Sequence, residues 1–247
     1  MFDLVGTLVR DTGFSRRATA RALAAAGIQA TEREVHNRSG RSRMDVFREL
    51  AFRGGPRGCK DPTDAESRAR SALDAFRRGF ADELRRTAPE PAFGARETFA
   101  YLRAHGIRVA ATTGLDRASA LRLLRPLGWH NGWFDALIFS DDVPMGRPAP
   151  YMIFRAMESV GVTRVRAVVK VGDTPADLLE GTHAGASGVV GVTSGAFDVA
   201  PLRACPHTHL IESVADFPEL FARQFTHARA RESLPLVIEG YALPTTA

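Results

Sequence analysis

Lysine is nearly missing from this sequence. Of 33 Lys/Arg residues only Lys60 and Lys170 are lysine, so the positive charge is arginine almost throughout. Cysteine is as scarce: Cys59 and Cys205 cannot by themselves build a disulfide scaffold or a four-ligand zinc site. No apolar run approaches the roughly 18 residues of a membrane span, and no N-terminal signal pattern is present. These absences predict a cytoplasmic chain with no membrane partner. At 45% apolar and 25% charged over 247 residues, wholesale disorder is excluded too. The length suits one large domain or two small ones.

The net charge of +5 is unevenly placed. Residues 10–86 hold 18 Lys/Arg against 11 Asp/Glu, and the rest holds 15 against 17. A GC-rich genome would explain arginine in place of lysine, but not why one third of the chain holds the excess. Two readings fit that segment: a solvated helical face, or a module that closes over an anion.

The pattern changes along the chain at the same place. From Phe14 to about Thr87 there are helical stretches and no convincing strand. Ser15 is a candidate cap for a helix through Ala18, Ala22, Leu23 and Ala26, stopped by Gly27. Met44, Phe47 and Leu50 repeat the spacing, as do Leu73, Phe76, Phe80 and Leu84. Beyond Pro89-Glu90-Pro91, short apolar runs at 107–112, 136–139, 167–171, 188–192 and 209–211 alternate with helical patterns. That alternation predicts an α/β fold with a parallel sheet between helices. The expected division is a core of 1–13 and 91–225, an all-helical unit at 14–90, and a patternless tail at 226–247, expected to be loosely ordered.

In such a sheet, ligands bind beyond the carboxyl ends of the strands. Four strand ends or loops carry candidate chemistry: Asp3 with Gly6; Thr112-Thr113-Gly114; Gly146-Arg147-Pro148; and Gly172-Asp173-Thr174-Pro175-Ala176-Asp177. Singly, each reads as readily as a cap, a turn or a surface arginine. Together and in this order they bring two carboxylates, a hydroxyl, backbone N–H groups and a cation to one crevice. Asp3 and Asp173 close together repel one another, a conflict that a bound Mg²⁺ removes. Asp3 could then attack phosphorus. Thr113 and the Gly114 N–H would hold phosphate oxygens, and Arg147 would neutralise their charge. Asp177, one helical turn after Asp173, would support the metal site.

These motifs resemble the haloacid dehalogenase superfamily. Thr112–Arg117, Asp142–Pro150, Lys170–Thr174, Gly191–Ala196 and Pro206–His209 look more narrowly like its phosphonatase-like branch. The resemblance implies a Rossmann-like core with a helical cap inserted after the first strand. It implies Mg²⁺ held by Asp3, Asp173 and the Val5 carbonyl, and a small phosphonate or phosphorylated substrate. A homodimer through cap helices would fit the branch.

Three positions depart from the pattern. Val5 stands where the superfamily's phosphatases carry an aspartate that protonates the leaving group; phosphonatases have a small apolar residue there. Arg43, in Gly40-Arg41-Ser42-Arg43-Met44-Asp45, stands where phosphonatases carry the lysine that forms a Schiff base, and guanidinium is a poor imine former. Lys60 is the only lysine of the cap segment. Arg43 and Arg41 are candidates for holding an anionic group of another substrate. Finally, two residues precede Asp3, which predicts a first strand short of pairing unless the start lies upstream. The leading expectation is a Mg²⁺-dependent hydrolase acting through an aspartyl-phosphate at Asp3. A catalytically impaired binding protein is the alternative. Nucleic-acid binding ranks below both for want of aromatic interleaving or a motif, and haloacid dehalogenation suits Arg147 less well.

Overall fold

The computed structural model describes residues 1–53 and 61–225. Lys60, Cys59 and the 226–247 tail lie outside the described residues. The strands are β1 (Ala110–Thr112), β2 (Ala136–Ile138), β3 (Val169–Gly172), β4 (Gly188–Val192) and β5 (His209–Ile211). β1 pairs with β2, β3 with β4, and β4 with β5, all parallel. Phe2 joins the two sets by parallel bridges to Ala111 and Val171. The Phe2 N–H donates to Ala110 O at 2.9 Å, and the Asp3 N–H donates to Val171 O at 2.9 Å. The expected loss of pairing is therefore not seen at Met1–Asp3, which bonds to a strand on each side.

Successive strand residues face opposite sides of a sheet. Ala111 packs in one cluster with Phe2, Phe99 and Phe217, whereas Ala110 packs in another with Met152 and Ala156. Helices thus cover both faces: α5 (Ala95–Ala104) and α10 (Phe217–Gln224) on one, α7 (Tyr151–Ser159) and α8 (Pro175–Ala184) on the other. Phe2 anchors the first face, edge-on to Phe99 and Phe217 at 6.1 and 5.2 Å. Two core helices remain: α6 (Arg117–Leu124), which follows β1 and is capped by Asp116, and the short α9 (Val199–Arg203) between β4 and β5.

Between Asp3 and α5 the elements among the described residues are helices: α1 (Phe14–Ala25), α2 (Glu32–His36), α3 (Arg43–Arg53) and α4 (Pro62–Arg86). Both α1 and α3 pack on α4, through Phe14 against Phe80 and Phe47 against Phe76. Ser15 does not cap α1. Gly13 does, at φ 80°, and Ser15 is buried inside the first turn. The short α2, unanticipated from periodicity, is set by a Thr31–Glu34 capping box. Many of the arginines are ion-paired here: Arg17 and Arg21 with Glu83, Arg38 and Arg41 with Glu49, Arg48 with Glu66.

Candidate active site

Asp3 follows the Phe2 bridge directly, so its carboxylate stands at the end of the sheet, only 4% exposed. The chain then turns at Gly6, with φ 96°. A Cβ there would lie 2.0 Å from Asp173 Oδ2, so both the conformation and the space require glycine. Thr7 Oγ donates to Asp173 Oδ1 at 2.8 Å, and the Ala196 N–H donates to Asp173 Oδ2 at 2.8 Å. Asp173 follows β3 and is fully buried. Thr174 caps α8, and Asp177 closes a capping box with it. One Asp177 oxygen serves that cap while the other faces the site.

Arg147, also buried, is the hub. It donates to Asp3 Oδ1 at 2.6 Å, to Glu180 Oε2 at 2.9 Å, and to both the carbonyl and hydroxyl of Thr112 at 2.7 Å. Asp177 Oδ1 lies 3.0 Å from it. Behind it stands Lys170, whose Nζ lies 2.9 Å from Asp177 Oδ1 and 3.0 Å from Glu180 Oε2 and donates to Thr112 Oγ1 at 2.9 Å. Lys170 stands in a run that resembles the phosphonatase-like branch, but its role was not read from sequence, and Glu180 was not singled out. Position on an apolar strand and helix gave no sign that they fix Arg147. Thr112, too, orients Arg147 rather than lining the cavity.

The carboxylates divide by their partners. Burial raises Asp3 to about 6, with Asp177 pushing the same way and Arg147 and Lys170 opposing. Burial, then Asp3 and Asp177, push Asp173 well above the ordinary carboxylate range. Burial would raise Asp177 as well, but Arg147 and Lys170 outweigh it and hold it low. Asp173 has no ion-pair partner among the described residues. Asp3, Asp173 and Asp177 place ligand oxygens within 4.8 Å of one another. The Val5 carbonyl accepts no hydrogen bond from the described residues. An oxygen-only set carrying uncompensated buried charge fits a hard divalent cation.

A cavity opens above Asp3. Its lining includes Val5, Thr113, Gly114 and Thr174 from the sheet side, and Ser15, His36, Ser39 and Arg43 from the helices. Thr113 uses its N–H on Ile138 O, whereas the Gly114 N–H has no acceptor among the described residues. The 39–45 turn sits tightly on the core. A Cβ on Gly114 would meet Arg41 O at 2.5 Å and Gly40 O at 2.6 Å. The Arg43 N–H donates to Gly114 O at 3.2 Å, and the Gly146 N–H donates to Asp45 Oδ2 at 3.1 Å. Arg41 does not line the cavity; its guanidinium pairs with Glu49 at 2.8 Å.

A family model described as haloacid dehalogenase-like hydrolase matches residues 1–185. The chain is 28% identical over 225 residues to the phosphonoacetaldehyde hydrolase of Bacillus cytotoxicus, covering 86% of this chain and 84% of that one. Over 99 residues it is 44% identical to the phosphonoacetaldehyde hydrolase of Parabacteroides distasonis, which is 40% of this chain but only 36% of that relative's length. Among solved structures, a hydrolase from Pseudomonas syringae aligns with a TM-score of 0.75 at 23% identity, covering 90% of this chain and 96% of that one. A phosphonoacetaldehyde hydrolase-like protein from Oleispira antarctica also aligns at 0.75, with 21% identity and 90% of each chain covered. At these identities the structural matches speak for the fold alone.

Proposed function

The chain belongs to the haloacid dehalogenase-like hydrolases, and on that premise we propose that it is a Mg²⁺-dependent hydrolase releasing phosphate from a small phosphonate or phosphorylated metabolite. The helical 14–90 segment acts as its cap. One observation carries this reading: Asp3 is held by Arg147 at 2.6 Å beneath the Thr113–Gly114 loop, beside an Asp173 that has no cation of its own among the described residues.

Asp3 Oδ attacks phosphorus, forming a P–O bond as the bond to the leaving group breaks. Water then hydrolyses the aspartyl-phosphate, returning Asp3 and inorganic phosphate. Arg147 orients the Asp3 carboxylate and offsets charge on the phosphoryl oxygens. Thr113 and the Gly114 N–H supply hydrogen bonds to those oxygens. Mg²⁺, held by Asp3, Asp173 and the Val5 carbonyl with Asp177 in support, would supply charge neutralisation for a dianion approaching carboxylates.

Two residues argue against phosphonoacetaldehyde as the substrate. Arg43 forms no imine. Lys170 is fully buried among Asp177, Glu180 and Thr112, away from the cavity. Val5 donates no proton, so the leaving group departs as an anion and takes its proton from water. Phosphate release from a panel of monoesters and phosphonates with Mg²⁺ tests the reading. Asp3→Asn is expected to lower it by about 10³-fold or more. Binding of phosphate analogues without any release would favour instead a binding protein on the same fold, which Val5 and Arg43 permit.

A further inference from the structure

Arg43 is only 9% exposed, and its backbone bond to Gly114 places it beside the phosphate loop. Its guanidinium makes one hydrogen bond, a long 3.3 Å contact to Ser15 Oγ, and stands 5.8 Å from the Phe76 ring centroid. Its Nε is buried with no acceptor. No carboxylate pairs with it among the described residues. Its neighbours in the helical segment differ: Arg17, Arg21, Arg38, Arg41 and Arg48 each have one at 2.6–2.8 Å. Burying a guanidinium without an anion is costly. Burial draws Arg43 down to about 10, so it remains charged at neutral pH.

We propose that the substrate carries a carboxylate at the end away from phosphorus, and that Arg43 receives it across the cavity from Asp3. The inference rests on the hydrolase reading above. The planar fork of Arg43 matches the two oxygens of a carboxylate. His36 lies in the same lining with its Nδ1 buried and unpartnered, and in its Nδ1–H tautomer it supplies a second donor. Asp11 and Arg16 are the other charged groups of the lining; Asp11, like Asp3, attracts Arg43 through space but makes no ion pair with it. The cavity is small, about 40 Å³, which limits the substrate's length. The substrate class is therefore a short phosphorylated or phosphonylated acid.

The test compares acids with neutral amides of the same shape. Phosphonoacetate against phosphonoacetamide, and phosphoglycolate against its amide, are titrated calorimetrically with the Mg²⁺-loaded full chain, and phosphate release is measured in parallel. The wild type is expected to prefer each acid by about tenfold or more, the range of a hydrogen bond to a charged group. Arg43→Gln should bring the ratio close to one, and Arg43→Lys should keep part of it. Should Arg43→Gln fail to fold, Arg43→Lys and Ser15→Ala are read for the same ratio and should lower it. A wild-type ratio near one, or a ratio that none of these variants moves, overturns the inference. Phosphate released equally from acids and amides would leave the hydrolase reading standing and this one refuted. Preferential binding of the acids with no phosphate released would do the reverse. The two probe pairs separate an ester from a phosphonate substrate.

Discussion

Buried residues decide this site more than exposed ones do. Lys170 illustrates it: a strand lysine with no exposure, paired to Asp177 and Glu180. Removing one partner of a buried pair leaves a charge uncompensated, so Lys170→Met should cost about 3–5 kcal/mol. Lys170→Met with Glu180→Leu should recover part of that loss in a denaturant titration; simple addition of the two single effects would show that the pair is not coupled. Gly6 gives a second expectation. Gly6→Ala combines φ 96° with a Cβ 2.0 Å from Asp173. It should cost about 1–3 kcal/mol of stability and weaken Mg²⁺ binding, read by thermal melts with and without the ion. Asp3, Thr113, Arg147 and Asp173 could be named from sequence because their spacing and order are distinctive. Lys170 and Glu180 could not. Each lies one or two turns or strand positions from a motif residue, and only packing of α8 on β3 makes them neighbours.

At the scale of elements, the 39–45 turn is the joint between the helices and the sheet. It touches three loops that follow strands: at Gly114, at Gly146–Arg147 and at Thr174. Gly40 stands at φ 81°, and a Cβ there would meet Thr174 Oγ1 at 2.2 Å. Gly40→Ala should therefore unseat the turn without unfolding the helices. The expected result is a kcat/KM loss of about tenfold with an unchanged far-UV circular dichroism spectrum. An unchanged kcat/KM would mean that the turn does not position substrate. Helix periodicity located α1, α3, α4 and α5 well, because each buries an apolar stripe. It missed α2, which is short and specified by a capping box. It also misread Ser15, since a residue suited to capping can equally be buried within the first turn.

At the scale of the molecule, the charges of the site couple its stability to pH and metal. The folded-state value of Asp3, about 6, lies above its ordinary 3.8. Its ionisation thus opposes folding as pH rises from about 4 through 6, by about 3 kcal/mol in all. A bound divalent cation cancels that term. The rise in Tm on adding Mg²⁺ should accordingly be small at pH 5 and larger at pH 7.5, measured by scanning calorimetry. An equal rise at both values would mean that Asp3 is not a ligand. The +7 of residues 10–86, which the sequence offered as a field for drawing in anions, is a net charge that internal ion pairs leave in place; the pairs fix where it sits, two arginines sharing Glu83 and two sharing Glu49. Arg43 is the buried exception.

Local pattern alone determined the α/β class, the helical segment and the strand-end carboxylates, because periodicity and turn chemistry are written in neighbouring residues. Tertiary structure decided which charges are paired. Arg41 and Arg43 are two positions apart and alike in sequence. One meets Glu49, and the other is left facing the cavity, because that outcome depends on how α3 packs against α4 and the sheet.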